Sequence, residues 1–314
     1  MKRVILLTIT VIAILIFVSG CKQRTNNNGQ NKNGKITITA TIFPPYDFVR
    51  AIAGDTVNLS MLLPPASESH SFEPTPKDII TIQNSDIFIY VGGESDAWVN
   101  RILESMDTRT MTIIALMDTV DVVEEEVVEG MEAEEEEEPA YDEHVWTSPQ
   151  NAGRIVRSIA DALCKTDTAN ADFYRQNAAD YIAQLEKLDA EFQAVTGNAN
   201  RKTIIFGDRF PFRYFADRYG LSYFAAFPGC STETEPSAAT VAFLIDKIKR
   251  ERIPVVFHIE LGNERMADTI AEETGAKKLL LHACHNISKK DFENGATYLD
   301  LMRMNVENLR RALQ

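Results

Sequence analysis

From Ala169 to Thr196 the chain runs without a glycine or a proline, through residues rich in Ala, Gln, Leu and Glu. That pattern predicts one uninterrupted helix, and at about 1.5 Å per residue it reaches roughly 40 Å. A helix of that length can run the length of a molecule, so what lies on either side of it must be organised around it. Both flanks show the same alternation. Before it, apolar runs at residues 36–43, 57–63, 86–92 and 111–116 read as strands, with helical stretches near 45–53, 74–83, 96–105 and 148–163. After it, strands at 202–206, 222–226, 253–260 and 277–281 alternate with helices at 213–220, up to Arg252, at 263–275 and at 290–313, and residues 227–237 read as a loop. A βαβα rhythm calls for a parallel sheet with covering helices. The expected fold is α/β, with two similar lobes (36–167 and 198–314) joined by one long rigid helix (168–197). Ligands of open α/β sheets bind at the carboxyl ends of strands, so two facing lobes should form a cleft there.

The net charge of −14 belongs mostly to one place: thirteen carboxylates and no Lys or Arg lie between Asp121 and Glu143. The rest is close to neutral, and no basic stripe or basic-aromatic face suits nucleic acid. The uninterrupted Glu134-to-Glu138 run repels itself, so the acidic loop 121–143 is expected to be a solvated, disordered insert in the first lobe. Residues 1–20 read as an export signal: Lys2 and Arg3, then an apolar run too short to span a membrane. Val18-Ser19-Gly20-Cys21 resembles a bacterial lipobox, which implies cleavage before Cys21 and its lipidation. Residues 21–35 are rich in Asn, Gln, Gly and Lys and read as a flexible tether. The folded part is thus expected outside the cytoplasmic membrane, held to it by a lipid anchor on Cys21. Three cysteines remain. Cys164 lies on the apolar side of a helix and reads as a buried small residue. An exported chain can hold a disulfide, and Cys230 with Cys284 is the expected pair, packing being the other reading of Cys284.

There are five histidines, and they fall at strand-to-helix junctions. His70 follows the second strand, His144 precedes a helix, and His282 and His285 follow Lys277-Lys278-Leu279-Leu280-Leu281. His258 lies within a strand run and reads as structural. Asp208 and Glu260 also sit at strand ends. Imidazole is the commonest metal ligand, and carboxylates complete mixed sites for zinc or manganese.

His70-Ser71-Phe72-Glu73-Pro74-Thr75-Pro76 and Asp142-Glu143-His144-Val145-Trp146 resemble two ligand motifs of the zinc/manganese-uptake substrate-binding lipoproteins of ABC transporters, the cluster A-I family. Ile270-Ala271-Glu272-Glu273-Thr274-Gly275-Ala276 resembles that family's second-lobe helix, and the acidic insert resembles its loop before the second ligand. The resemblance covers the whole mature chain. It implies a divalent metal, Zn2+ as cargo with Mn2+ as the alternative, bound in the cleft of a monomer and passed to an ABC permease. It implies binding rather than catalysis; a surface-adhesion lipoprotein is a second reading and a zinc hydrolase a remote one.

Two positions depart from the pattern. Gly207, in Phe206-Gly207-Asp208-Arg209-Phe210, stands where the family carries its third ligand, and His282 stands where it carries an aspartate. The expected ligands are therefore His70, His144 and His282 with Asp208. Glu260 and His285 are alternates, and Glu73 and Asp142 are expected to orient the imidazoles.

Overall fold

The computed structural model describes residues 34–68, 72–131, 140–230 and 236–314. Cys21, His70 and the Glu134-to-Glu138 run lie outside them. In the first lobe four strands form one parallel sheet, β1 (Thr37–Ala40), β2 (Asn58–Met61), β3 (Ile87–Tyr90) and β4 (Thr112–Ala115), in the order β2-β1-β3-β4. Ile38 faces Ile87 across β1 and β3, and Ile87 faces Thr112 across β3 and β4. The crossovers carry α1 (Phe43–Ala53), α2 (Pro76–Gln83) and α3 (Ala97–Glu104). Pro44 and Pro45 occupy the first turn of α1, where a missing N–H costs nothing. Thr75 and Asp78 close a reciprocal capping box at the start of α2.

The lobe ends in α4 (Pro149–Thr166), which packs along α5 (Ala171–Gly197). The long uninterrupted helix is thus present, entered through a short 3₁₀ turn at Thr168–Asn170. The second lobe holds β5 (Thr203–Ile205), β6 (Arg209–Phe210), α6 (Arg213–Tyr219), β7 (Ser222–Phe224), β8 (Phe227–Pro228), α7 (Ala238–Glu251), β9 (Val255–His258), α8 (Arg265–Thr274), β10 (Lys277–Leu280), α9 (Lys289–Glu293) and α10 (Tyr298–Leu313). β5 pairs with β7 and β9 with β10, all parallel, and a Phe206–Phe257 bridge joins the pairs. One apolar core runs from Ile36 to Leu313 through both lobes and the buried face of α5. The lobes are therefore fixed to a common spine.

Four expectations are corrected. The terminal helix is two helices, because Asn294 and Gly295 break it, Gly295 at φ +74°, and Thr297 with Asp300 caps a new one. The loop at 227–237 contains a short strand, β8, paired with β6. Residues 121–131 and 140–143 of the acidic segment are not a solvated insert. They pair with each other, and Val123, Val128 and Met131 pack on the core. Finally, Cys230 and Cys284 are both unbridged. Cys284 is fully buried in the core beside His282, whose carbonyl its thiol faces, while Cys230 lies among Glu125, Asp142 and Glu143.

Candidate metal centre

The cleft lies at the carboxyl ends of the strands. Its walls include Ser67 and Glu68 from the first lobe, and Arg209, Gly229, Glu260, Leu261, His285 and Asn286 from the second. Among the described residues, three of the four non-glycine residues with positive φ sit on the loops that build it: Ala66, Leu261 and Cys284 at φ 69, 59 and 62°. Left-handed backbone at such residues costs about 1–3 kcal/mol each and persists only where the surroundings impose it.

His144 is fully buried at the head of a 3₁₀ turn, Val145–Thr147. Asp142 Oδ1 accepts both its backbone N–H at 2.8 Å and its ring Nδ1 at 3.1 Å. With an acceptor at Nδ1, the ring proton is assigned there and Nε2 keeps the lone pair a metal needs. Asp142 is itself placed by its N–H to Val123 O and by Tyr214, whose hydroxyl donates to Asp142 O at 2.7 Å.

The imidazole that meets His144 is His285. The two rings lie edge to face with centroids 4.4 Å apart, and Trp146 packs against His285 at 4.9 Å. The loop that carries His285 is tied down at several points. Glu260 accepts the N–H of Ala283 at 2.6 Å and of His285 at 2.9 Å. Trp146 Nε1 donates to Ala283 O at 2.7 Å, and Asn286 Nδ2 donates to Pro64 O and Ser67 O, each at 2.8 Å. The second lobe's histidine is thus held by the first lobe's backbone.

His282 is placed differently. Its backbone N–H donates to Asn305 Oδ1, Asn305 Nδ2 donates back to its carbonyl, and its Nδ1 accepts the Cys284 N–H at 3.0 Å. Burial pushes its pKa down to about 4, so the ring is neutral. The backbone bonds of His282 anchor the loop to α10, and its Nδ1 lies 3.4 Å from Glu260 Oε2. Asp208 is also committed: its Oδ1 accepts Arg209 N–H at 2.8 Å and its Oδ2 accepts Ile259 N–H at 3.3 Å, stitching the end of β5 to the end of β9. Glu73 is exposed on the approach to α2. His258 turns its Nδ1 to Ile259 O.

Gly207 has a steric reason. A Cβ added there would lie 2.7 Å from Ala267 Cα, against the backbone of α8. No histidine can occupy that position without moving a helix. Gly229 is similarly constrained, since its Cβ would come 3.1 Å from His144 Cε1 and 2.9 Å from Phe210 O. Among the described residues no three His, Cys, Asp or Glu side chains already converge as a metal site, which is consistent with the described ligand candidates facing each other being two, His144 and His285.

Four further residues matter here, and none has a role assigned from the sequence. Trp146 and Asn286 are visible only through their bonds across the lobes. Glu125 hides in the acidic tract, although its Oε1 accepts the Cys230 N–H at 2.8 Å. Asn305 did leave a signal, a polar residue 1 % exposed on the apolar face of α10 beside Met302 and Val306.

Burial lifts the Glu260 carboxyl to about 8, with the nearby Asp208 charge acting in the same direction. In the unfolded chain the same group ionises near 4.5. Between those values the folded, metal-free protein holds a proton that the unfolded chain has lost. This contribution to stability is complete below the lower value and disappears as pH rises through about 8. The His282 term is already constant above its unfolded value of 6.5. The melting temperature of metal-free protein is therefore expected to fall between about pH 6.5 and 8.5, and Glu260→Gln to flatten that fall. A profile unchanged by the substitution would show that Glu260 ionises normally.

Residues 38–312 match the family model described as zinc-uptake complex component A, periplasmic, ZnuA. The chain belongs to this family. The high-affinity zinc uptake system protein ZnuA of Bacillus subtilis is 32 % identical over 312 residues, covering 96 % of each chain. The zinc-binding lipoprotein AdcA of Streptococcus pneumoniae is 31 % identical over 99 % of this chain, which spans 61 % of that relative's length. Among solved structures, the B. subtilis metal-dependent lipoprotein YcdH superposes with a TM-score of 0.75 at 32 % identity, over 89 % of this chain and 99 % of that one. The Zn(II)-bound ZnuA-like domain of S. pneumoniae AdcA superposes at 0.74 with 29 % identity and the same coverage. The laminin binding protein of Streptococcus agalactiae, at 24 % identity, adds support for the ZnuA-like fold alone.

Proposed function

We propose that this chain is the extracytoplasmic zinc-binding component of an ABC importer, which captures Zn2+ in its interlobe cleft and hands it to a membrane permease. The observation that carries the reading is the His144–His285 pair, one imidazole from each lobe, edge to face at 4.4 Å. In this reading His70, His144 and His285 bind the metal, Asp142 fixes the tautomer of His144, and Glu260 holds the backbone of His285. Several borderline-soft imidazoles favour Zn2+ over Mn2+, which prefers oxygen. The zinc-uptake name of the B. subtilis relative and the zinc-binding name of the S. pneumoniae relative support the same cargo. Binding is the whole activity, with no chemical step. Cys21, in its lipobox-like setting, anchors a monomer to the membrane, and the chain works outside it.

The test is a titration of metal-stripped protein with Zn2+ and Mn2+ in competition. One Zn2+ per chain, not displaced by excess Mn2+, is expected. Protein that takes up no stoichiometric Zn2+ refutes the reading, and preference for Mn2+ replaces the cargo.

A further inference from the structure

The acidic segment enters the site through its base. Residues 123–125 and 140–142 run antiparallel: Glu124 bridges to Tyr141, Glu125 N–H donates to Ala140 O at 2.9 Å, and Asp142 N–H donates to Val123 O at 3.0 Å. One end of this hairpin is Asp142, which holds His144. Its other strand reaches across to the second lobe. Glu125 Oε1 accepts the Cys230 N–H at 2.8 Å, and Gly229 is the adjacent residue of that turn. Glu126 accepts the Tyr223 hydroxyl at 3.1 Å and lies 3.5 Å from Arg213. Gly130 is in contact with Phe243 of α7.

Gly229, next to the Cys230 N–H that Glu125 holds, is packed on the His144 ring so closely that a Cβ there would be 3.1 Å from Cε1. His144 is therefore confined from two sides, by Asp142 and by the 229–230 backbone, and one hairpin sets both. A solvated loop would need none of these bonds, whereas a half-buried carboxylate accepting a backbone N–H from the other lobe is a fixed structural acceptor.

We propose that Glu125 is a positioning residue of the metal centre, holding the Gly229–Cys230 backbone against the His144 imidazole. It touches no metal; it sets the freedom of a ligand that does. The inference rests on the zinc-binding reading above. Groups that orient a ligand from behind are worth about 10–100-fold in metal affinity.

The experiment compares wild type, Glu125→Ala, Glu125→Gln and Gly229→Ala in the full chain by two readouts: Zn2+ release into excess chelator, and the visible absorption of bound Co2+. Glu125→Ala should release Zn2+ about tenfold faster or more and shift the Co2+ bands. Glu125→Gln, whose amide oxygen still accepts, should stay within about threefold of wild type by the same reasoning. Gly229→Ala leaves Glu125 in place but presses on His144, and should shift the Co2+ bands on its own; it decides the matter if Glu125→Ala does not fold. Wild-type release with an unchanged Co2+ spectrum in Glu125→Ala overturns the proposal, even if its melting temperature drops. So does an unchanged spectrum in Gly229→Ala, and so does a Glu125→Gln as impaired as the alanine variant. A wild type that takes up neither metal overturns this proposal together with the zinc-binding reading.

Discussion

Replacing His285 with alanine is expected to weaken zinc binding on the order of 100-fold or more, while His282→Ala leaves it within a few-fold. Folding and binding energies for a protein zinc site run to about 10–16 kcal/mol, so one ligand in three or four is worth about 3–4 kcal/mol, or two to three decades. His285 is the imidazole that lies against His144. His282 is 4 % exposed, with its Nδ1 occupied by the Cys284 N–H and its backbone bonded twice to Asn305. Its removal leaves a cavity and an unpaired N–H, so its cost should appear in the melting temperature instead. Isothermal titration of both variants, run well below their melting transitions, separates the two roles. A His282→Ala that loses zinc beside a His285→Ala that keeps it would return the ligand to His282.

The sequence points to His282 as a ligand with His285 as an alternate; which of the two faces His144 depends on backbone geometry that residue spacing does not carry. They are three residues apart, and between them Cys284 adopts φ 62°, a left-handed turn that sends the two side chains to different neighbours. No alternation rule survives such a turn. The same limit explains the carboxylates. Asp208 and Glu260 are at strand ends, as ligands should be, but both spend their oxygens on backbone N–H groups that join the ends of the strands. Where periodicity governs, the sequence is legible. The parallel strands, the uninterrupted α5 and the placement of His144 at a junction all follow from apolar spacing and from the absence of breakers. Charge patterning misleads at residues 121–131 because Val123, Val128 and Met131, spaced among the glutamates, supply enough apolar contact to seat the segment. Gly207 is the reverse case: read as a lost ligand, it is a contact between the end of β5 and the backbone of α8 that allows no Cβ.

Trp146→Ala should damage both fold and site, and the size of each effect follows from its contacts. The side chain is 1 % exposed, and its indole N–H donates to Ala283 O at 2.7 Å, on the loop that carries His285. Its own carbonyl accepts the Tyr298 hydroxyl at 2.6 Å, and its ring lies 5.6 Å from His144 and 4.9 Å from His285. Deleting a buried indole costs about 3–5 kcal/mol in cavity and transfer energy, and the orphaned Ala283 carbonyl about 1–3 more. For a chain of this size that lowers the melting temperature on the order of 10 °C. Trp146→Phe retains most of the volume and loses the donor, so it should recover most of the stability while zinc affinity stays reduced, because the His285 loop is no longer tied to the 3₁₀ turn behind His144. Calorimetry of the metal-free proteins and zinc titration of the same samples separate packing from positioning. If Trp146→Phe restores zinc affinity fully, the indole N–H has no part in placing His285, and Glu260 with Asn286 holds the loop alone.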